Sequence, residues 1–363
     1  MKICFLLGGF FSGGVGRVVS IIANELSELD NYEIHCVTLR PAEKKEIYYL
    51  KPQIRRAYLT EDRRSVKYIL LDSGIKFKKY INSNSIDIIV ACGNIFYPIA
   101  LLGKKKRVKI ICWEHSNVFT TTDNDGQTIL RWFASKLSNY IVTLTDCDMN
   151  GFKSKFTAKK VMRIYNPIDP RIEAVNSEEF ASRPMKIISV GRFCYQKNFE
   201  CIPEIGKLLI KYSRDWDWDI YGTGETLEVV VQKVKSYGLQ DRIHFKGQVN
   251  DLYSRYKDYG LIVMTSRYEG FPMALLEATK NGLPMVSFNI KTGPDEIIED
   301  GSNGYLVKEH DYECMARSIN AILTDEQKRL GMSLSSLKKA EQFEVSKIVP
   351  QWVRLFENLV NDK

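Results

Sequence analysis

The segment Arg267–Pro284 reads RYEGFPMALLEATKNGLP and directly follows the apolar run GLIVMT at 260–265. An apolar run of this length predicts a buried strand, and the pattern after it predicts a helix that ends near Gly282. Pro272 suits the first helical position, where a missing N–H costs nothing. We therefore expect the backbone N–H groups of 271–274 to point beyond the carboxyl end of a strand, which forms a ready site for an anion.

Two glutamates accompany this predicted anion site. Glu269 precedes the helix, and Glu277 interrupts an otherwise apolar helical run. A buried carboxylate needs partners because unpaired burial is costly, and ligand hydroxyls could supply them. The helical rise places Glu277 roughly 7–9 Å from the start of the helix, which is about the offset between a diphosphate and its ribose. A plain strand–loop–helix unit with two solvated glutamates is the alternative reading.

The letters EGFPMALLE resemble the Glu-x7-Glu motif of retaining glycosyltransferases of the GT-B fold, in particular family 4. The resemblance implies an α/β protein with two Rossmann-like, doubly wound domains that face each other across a cleft. It also implies that Glu269 and the helix N-terminus face the donor sugar and its diphosphate, and that Glu277 binds ribose hydroxyls. The donor-binding residues that it implies in this segment are Gly270, Phe271, Pro272, Met273, Ala274 and Glu277.

The length of the chain indicates two domains, because 363 residues are enough for two separate cores. We expect a first domain at 1–170 and a second at 185–344. The family resemblance implies that the terminal segment 345–363 is a helix that crosses back to the first domain. No apolar run reaches the roughly 18 residues that a membrane-spanning helix needs.

The cysteines and histidines indicate an unmetallated protein of the cytosol. Eight scattered cysteines without a C-x-x-C pair favour reduced core thiols. The four histidines lack metal-ligand spacing, so no metal site is predicted. The opening MKICFLLGG favours a buried first strand over a signal segment, because it has one lysine, a short apolar core and no small-residue cleavage site.

The net charge of +8 lies entirely in the first half of the chain. Residues 1–170 contain 26 Lys+Arg and 16 Asp+Glu, giving +10, whereas residues 171–363 contain 26 and 28, giving −2. This asymmetry indicates an anionic partner for the first half, and an acidic membrane surface is the candidate. Nucleic acid is disfavoured because no binding motif accompanies the charge. A solvated basic face is the alternative. The clusters are Lys44–Lys45, Arg55–Arg56, Arg63, Arg64, Lys67, Lys76, Lys78, Lys79 and Lys104–Lys109.

A glycine-rich loop, GGFFSGGVGR at 8–17, joins the first predicted strand to the first predicted helix. This is the usual place for a phosphate in doubly wound sheets. The loop departs from G-x-G-x-x-G, and Arg40 rather than an acidic residue follows the second strand, so a nicotinamide dinucleotide is disfavoured. The family resemblance implies that the backbone amides of Gly13 and Gly14 approach the donor phosphates, which glycine permits.

A histidine stands at the end of the strand predicted at 108–112, in the letters WEHSN. Open sheets bind ligands at the carboxyl ends of their strands, so His115 is a candidate functional residue. Its position resembles that of the family histidine beside the donor sugar and the reaction centre, and Glu114 is a candidate to orient it. The polar loop at 118–126 is a candidate to contact the acceptor.

The second domain opens with a strand followed by GRFCYQKN at 191–198. Arg192 and Lys197, two cations at a strand-to-helix turn, suit a diphosphate, with solvated surface cations as the alternative. The match to G-R-x-x-x-x-K-N implies that both cations hold the donor diphosphate and stabilise it as leaving group. The resemblance further implies that backbone groups of Gln248 and Val249 contact a uracil. A formal D-x-D at 217–219 begins a strand, so a metal role for it is disfavoured.

The family resemblance, taken with these patterns, implies a retaining, metal-independent glycosyltransferase without a cofactor. It would move a sugar from a UDP-sugar to a glycan or lipid-linked acceptor in bacterial surface polysaccharide biosynthesis, at the inner face of the cytoplasmic membrane. One alternative is an enzyme like the UDP-GlcNAc 2-epimerases, which lack G-R-x-x-x-x-K-N. The other is a non-catalytic sugar-nucleotide-binding protein, which should lack His115 or Glu269. The residues assigned to catalysis are His115, Glu269, Arg192 and Lys197.

We expect charge reversal at Lys104–Arg107 to lower binding to anionic vesicles while sparing donor hydrolysis, because this run is the densest part of the basic excess. Co-sedimentation with vesicles measures the change. Unchanged binding would mean that this run only solubilises the protein.

Overall fold

The computed structural model describes residues 1–361 except 11–12, 42–47, 65, 104–106, 121–125, 174, 177–179, 181–182, 214 and 250, and only the backbone of 66 and 67. The lysines at 44–45 therefore lie outside the described residues, and the basic run at 104–109 and the acceptor loop at 118–126 lie partly outside them. The chain divides into two compact units, Met1–Pro167 together with Val345–Lys363, and Ile168–Glu344.

The first unit is built on a parallel sheet of seven strands in the order β3-β2-β1-β4-β5-β6-β7. Its strands are β1 (Lys2–Leu7), β2 (Glu33–Thr38), β3 (Arg55–Tyr58), β4 (Ile88–Cys92), β5 (Lys109–Trp113), β6 (Tyr140–Thr143) and β7 (Val161–Arg163). Its helices are α1 (Gly14–Leu26), α2 (Val66–Asn84), α3 (Tyr97–Leu102), α4 (Gly126–Leu137), α5 (Asp146–Lys155) and the terminal α12 (Val345–Asn361), with a 3-10 turn at Asn94–Phe96.

The second unit is built on a parallel sheet of six strands in the order β10-β9-β8-β11-β12-β13. Its strands are β8 (Lys186–Val190), β9 (Asp217–Tyr221), β10 (Ile243–Gly247), β11 (Leu261–Met264), β12 (Met285–Phe288) and β13 (Gly304–Val307). Its helices are α6 (Ile202–Leu209), α7 (Leu227–Ser236), α8 (Met273–Lys280), α9 (Pro294–Ile297), α10 (Tyr312–Thr324) and α11 (Glu326–Ala340), with 3-10 turns at Phe199–Cys201, Tyr253–Asp258 and Glu341–Phe343.

The central strands are apolar along their whole length because both of their faces are covered. Every residue of β1 from Ile3 to Leu7 is buried, and β2 and β4 pair with β1 on either side. All four residues of β11 are buried as well. Parallel sheets covered on both faces produce such continuous apolar runs rather than an alternating pattern. The α/β class expected from the sequence is confirmed.

Each sheet has one point where the strand order reverses, and the predicted motifs follow the strands at that point. The reversal falls between β1 and β4 in the first unit and between β8 and β11 in the second. Ligands of open α/β sheets bind beyond the carboxyl ends of the strands at such a switch point. The described residues 8–10 follow β1, and the loops at 191–198 and 265–272 follow β8 and β11 respectively.

The terminal helix α12 is part of the first unit. Its Trp352 is fully buried, and the ring centroids of Trp352 and Trp113 lie 4.7 Å apart. Phe356 of the same helix lies 6.3 Å from the ring of Tyr32, and α12 packs against α1. The end of the chain is therefore built into the core of a unit whose sheet comes from residues 2–163. No helix in the described part of the chain combines the length and the apolar character needed to cross a bilayer.

We expect Trp352→Ala to lower the free energy of unfolding by about 3–5 kcal/mol, because it opens a cavity against Trp113. Val360→Ala on the same helix is the control, since that side chain is 46% exposed, and it should change stability by no more than about 0.5 kcal/mol. Chemical denaturation measures both variants. Equal losses in the free energy of unfolding for the two variants would contradict a role of Trp352 in the packing of the core.

Candidate active site

Two loops at the switch point of the second sheet are joined to each other. The N–H of Arg267 donates to the carbonyl of Gln196 at 2.8 Å, and the hydroxyl of Thr265 donates to the carbonyl of Lys197 at 2.9 Å. The guanidinium of Arg267 also lies 4.2 Å from the ring centroid of Tyr195. The loop after β8 and the loop after β11 therefore form one surface.

The side chains of Lys197 and Glu269 meet on this surface. Lys197 Nζ lies 2.6 Å from Glu269 Oε1, and both side chains are largely buried. Ser266 Oγ donates to the same carboxylate oxygen at 2.6 Å, and Gln196 Nε2 donates to the other at 3.3 Å. The sequence analysis assigned Lys197 to the donor diphosphate and Glu269 to the donor sugar and its diphosphate, and it predicted no contact between the two side chains. The structure adds that the carboxylate holds the lysine in place through a short, charge-assisted contact.

The helix after this pair begins one residue later than expected. Pro272 is the N-cap of α8, with ψ at 98°, and the first helical residue is Met273, so the placement of Pro272 at the first helical position is wrong. Proline fixes only φ and leaves ψ to its surroundings. Gly293 supplies part of those surroundings, because a Cβ added there would lie 2.8 Å from Pro272 Cδ. Thr292 Oγ1 donates to the carbonyl of Glu269 at 2.6 Å, which ties the same loop to the site.

The first turn of α8 presents backbone N–H groups at the carboxyl end of β11, as the sequence predicted. The first residue that donates within the helix is Leu276, to the carbonyl of Pro272 at 3.1 Å. The N–H groups of a first helical turn have no intrahelical acceptor. Since proline has no N–H, the donors at 271–274 come from three residues and not four.

The second glutamate, Glu277, is buried and has a protein partner that the sequence analysis missed. Tyr256 Oη donates to Glu277 Oε2 at 2.9 Å, and Asn281 Nδ2 donates to the backbone carbonyl of Glu277 at 3.0 Å. A ligand is therefore not the sole source of partners for this carboxylate. Tyr256 lies in the 3-10 turn before β11, in a segment whose sequence predicts an ordinary helix with no signal of contact to Glu277.

Arg192 and Val249 are placed less tightly. Arg192 is exposed, and its side chain has no hydrogen-bond or ion-pair partner within the ranges that the structure describes. Val249 follows β10 and lines a cavity of about 670 Å³ together with Tyr221, Tyr259 and Lys246, among others. Arg192, Lys197, Glu269 and Glu277 do not line that cavity. A contact between Val249 and a uracil thus stays a prediction.

The glycine pair of the first unit is at the expected place. Gly13 is the N-cap of α1 with φ at 87°, a conformation that favours glycine, and Gly14 is the first residue of the helix. Neighbours in the chain aside, a Cβ on Gly13 would have no heavy atom of the described residues within 4 Å. The role of these amides in binding phosphate stays a prediction.

His115 follows β5 and has no charged partner in the part of the chain that the structure describes. Its ring centroid lies 4.3 Å from that of Trp113, and among the described residues its buried Nε2 has no hydrogen-bond partner. Burial lowers the pKa of His115 to about 3, because a low-dielectric environment disfavours the charged form. The imidazole is therefore neutral at neutral pH.

Glu114 does not orient His115, so that expectation is wrong. The Glu114 carboxylate instead accepts from Arg131 Nε at 2.9 Å and from Ser116 Oγ at 2.6 Å. Arg131 lies on α4, is fully buried, and donates through Nη2 to Ser116 Oγ at 3.0 Å and to the Asn117 carbonyl at 3.3 Å. The buried arginine is thus the residue that fixes the segment around His115 to α4.

The D-x-D triplet at 217–219, and a second one at 146–148, are parts of the scaffold. Asp148 Oδ1 accepts from the N–H of Val118 at 2.9 Å, and Thr145 Oγ1 donates to its Oδ2 at 2.6 Å. Burial raises the pKa of the Asp148 carboxyl to about 6. Asp219 lies within β9 and accepts from Tyr259 Oη at 2.7 Å. Across the described ranges, no three His, Cys, Asp or Glu side chains form a group that could hold a metal ion.

Known proteins are similar to this chain in sequence and in fold. The family model Glycosyltransferase Family 4 matches residues 12–172, and Glycosyl transferases group 1 matches residues 170–337. The chain is 31% identical over 358 residues to the amylovoran biosynthesis glycosyltransferase AmsD of Erwinia amylovora, covering 97% of this chain and 98% of AmsD. It is 24% identical over 372 residues to an α-1,4-N-acetyl-D-galactosaminyltransferase of Campylobacter jejuni named for a diNAcBac-PP-undecaprenol-linked acceptor, covering 99% of each.

A solved structure gives the fold class. TarM of Staphylococcus aureus, determined with fondaparinux, α-GlcNAc-glycerol and UDP, has a TM-score of 0.83 at 15% identity, covering 98% of this chain and 100% of TarM. Two Rossmann-like parallel sheets together with this likeness define the GT-B fold. The chain belongs to the glycosyltransferase family of group 1 and family 4 enzymes, as its likeness to AmsD along nearly the whole length of both chains shows.

We expect Arg131→Met to lower the free energy of unfolding of the first unit by about 3–5 kcal/mol, because it leaves the buried Glu114 carboxylate without its cation. Adding Glu114→Gln should recover most of that loss. Arg163→Met is the control, since the Arg163–Asp146 pair has the same 2.9 Å separation but is partly exposed, and it should cost no more than about 1 kcal/mol. Urea denaturation that gave equal losses for both arginines would contradict this account.

Proposed function

We propose that this protein is a retaining glycosyltransferase that moves a sugar from a UDP-sugar to a glycan or lipid-linked saccharide in bacterial surface polysaccharide biosynthesis. The observation that carries the proposal is the meeting of Lys197 with Glu269 in front of the first turn of α8. A cation, a carboxylate and a helix N-terminus at the switch point of a doubly wound sheet suit a diphosphate joined to a sugar.

The departing diphosphate is the part of the donor that this site would stabilise. As the bond between the anomeric carbon and the diphosphate oxygen breaks, negative charge grows on the diphosphate. Lys197 and the N–H groups at the start of α8 are fixed donors for that charge, and such preorganised donors lower the barrier. Arg192, which is exposed, would add a second cation on binding of the donor. Lys197 needs little reorganisation, because Glu269 already holds its ammonium group.

The α linkage in the name of one relative supports the proposal of retention. The C. jejuni relative is named an α-1,4-transferase. The UDP-sugar proposed as donor would carry its diphosphate in the α configuration. If the acceptor hydroxyl attacks the anomeric carbon from the same face that the diphosphate leaves, the product has an α linkage. In that step the acceptor oxygen bonds to the anomeric carbon, and its proton passes to a phosphate oxygen of the donor, so the chain need not supply a base.

The two remaining polar groups would position the donor. Glu277, held by Tyr256 at one oxygen, would accept from ribose hydroxyls. His115 would contact a sugar hydroxyl as a neutral imidazole, since burial keeps its pKa near 3.

The acceptor class rests on the relatives. AmsD is named for amylovoran biosynthesis, and the C. jejuni enzyme is named for a saccharide on undecaprenol diphosphate. Both names belong to glycan assembly in bacteria. We therefore propose a saccharide acceptor, with the lipid-linked form as the first to test.

We expect wild-type protein to release UDP slowly from one member of a panel of UDP-sugars, without acceptor or added metal. Lys197→Met should lower kcat roughly 10²–10³-fold, because it removes one charge-stabilising donor. Glu277→Gln should instead raise KM for the donor roughly tenfold, as expected for a lost contact to bound substrate. A coupled assay for free UDP measures all three proteins.

Glu228→Gln, an exposed change on α7, is the matched control and should leave both constants unchanged. Release of UDP that is unaffected by Lys197→Met would contradict the proposed site. Recovery of a C2-epimerised sugar from UDP-GlcNAc would favour the epimerase alternative. Absence of UDP release from every UDP-sugar, even with a lipid-linked acceptor present, would overturn the choice of donor.

A further inference from the structure

Three helices lie side by side on one face of the first unit. Helix α2 packs against α3, and α3 packs against α4. Gly74 of α2 makes this closeness possible, because a Cβ at that position would lie 2.5 Å from Leu102 Cδ1 of α3. The inward residues of the three helices, such as Phe77 and Ala134, belong to the hydrophobic core. The outward sides of the three helices therefore form one continuous surface.

The outward side of α2 is apolar, although the inward side of the same helix already supplies its core contacts. Tyr68, Leu71 and Ile75 are 64%, 70% and 70% exposed. Their spacing of three and four residues places them on one stripe of the helix. Helix α2 therefore has two apolar sides, and only the inward side is buried within the first unit.

The outward side of α4 repeats this pattern. Ile129, Trp132, Phe133 and Leu137 are between 43% and 52% exposed, and their spacing again follows a single helical stripe. The ring centroids of Trp132 and Phe133 lie 5.1 Å apart in an edge-to-face arrangement. The inward side of α4 carries Arg131, which pairs with Glu114.

Exposed apolar residues are concentrated on this surface. Eighteen large apolar side chains are exposed among the described residues, and eight of them lie on these three helices. Scattered single residues would need no explanation, but a contiguous apolar group of this size marks an interaction site. We name this group the apolar face, and it consists of Tyr68, Leu71, Ile75, Leu102, Ile129, Trp132, Phe133 and Leu137.

Basic residues outnumber acidic residues on these three helices. Lys78 and Lys79 are exposed on α2 just beyond Ile75. The sequences of the three helices contain one acidic residue, Asp72, and Lys76 already pairs with it at 2.7 Å. The basic letters KKKR at 104–107 follow directly on α3 in the sequence. A partner for this surface must therefore offer both apolar area and negative charge.

We propose that the apolar face docks on an anionic lipid bilayer. Leucine, isoleucine and phenylalanine side chains would enter the boundary between headgroups and acyl chains, and Trp132 would sit at the headgroup level that tryptophan favours. Lys78 and Lys79 would meet the lipid phosphates. The inference deepens the proposed function, on which it rests for its purpose, by naming the surface that brings the enzyme to a lipid-linked acceptor.

Helix α4 also connects this docking surface to the candidate active site of the first unit. Its outward side belongs to the apolar face, and its inward Arg131 holds Ser116 and the Asn117 carbonyl, next to His115. A bilayer that fixes α4 therefore also fixes the segment that carries His115.

Binding to vesicles tests the proposal with the full-length protein. We expect wild type to bind phosphatidylcholine vesicles with about 30% phosphatidylglycerol at least about tenfold more tightly than pure phosphatidylcholine vesicles. The double variant Trp132→Ser/Phe133→Ser should weaken binding to the anionic vesicles at least about tenfold. Lys78→Gln/Lys79→Gln should weaken it roughly tenfold, and the residual binding should depend less on salt.

Leu334→Ser is the matched control, because Leu334 lies on α11 of the second unit and is 55% exposed, and its vesicle binding should equal that of wild type. Leu71→Ser/Ile75→Ser on α2 gives an independent arm should the α4 variant fail to fold. Unfolding midpoints and UDP release are measured on every variant. Correct vesicle binding together with absent UDP release would sink the proposed function and leave the docking surface intact.

Three results would overturn the docking proposal. The first is wild-type protein that binds anionic and neutral vesicles equally, and the second is apolar-face variants that bind anionic vesicles as tightly as wild type does. The third is a wild-type dimer in sedimentation that Trp132→Ser/Phe133→Ser converts to a monomer, without vesicle binding by either form. That result would assign the apolar face to a second copy of the chain.

Discussion

The contact between Lys197 and Glu269 is the interaction on which the candidate site depends. It joins the loop after β8 to the loop after β11, the two strands between which the sheet reverses its order. Backbone hydrogen bonds hold the loops together, and Ser266 and Gln196 complete the shell of the carboxylate. A lysine in this setting is a fixed charge beside a helix N-terminus, and fixed charges stabilise a leaving anion better than mobile ones.

The first unit uses a buried ion pair for a related purpose. Arg131 and Glu114 are both almost completely buried, and together they tie the end of β5 to α4. Such a pair contributes little net stability, but removal of one member leaves a charge in the interior. His115 takes no part in this charge network and is neutral because of its burial. The Arg131–Glu114 pair therefore holds the segment around His115 in place, while the imidazole of His115 itself stays neutral.

The sequence predicted the fold class because the physics of parallel sheets is local. Strands buried on both faces read as continuous apolar runs, and the loops after them carry glycine or cations where a ligand is expected. Lys2–Leu7 and Leu261–Met264 are such runs. The α/β class and the strand–loop–helix order around Gly13, Lys197 and Glu269 followed from these signals together with the family resemblance.

The rest could not be predicted because it depends on contacts between residues distant along the chain. Arg131 and Glu114 meet only when α4 packs near the end of β5. The sequence around Glu114 gives no signal that its ion-pair partner is an arginine 17 residues later. Tyr256 reaches Glu277 from a 3-10 turn whose sequence resembles a helix. The start of α8 depends on Gly293, whose absent side chain leaves room for Pro272.

The affinity for UDP, measured by titration calorimetry without added metal, tests the central claim most directly. The account predicts that wild type binds UDP and that Lys197→Met weakens the binding at least about tenfold, which corresponds to about 1.4 kcal/mol. Equal affinities of the two proteins for UDP, or no binding by either, would contradict the assignment of the Lys197–Glu269 surface to the donor diphosphate.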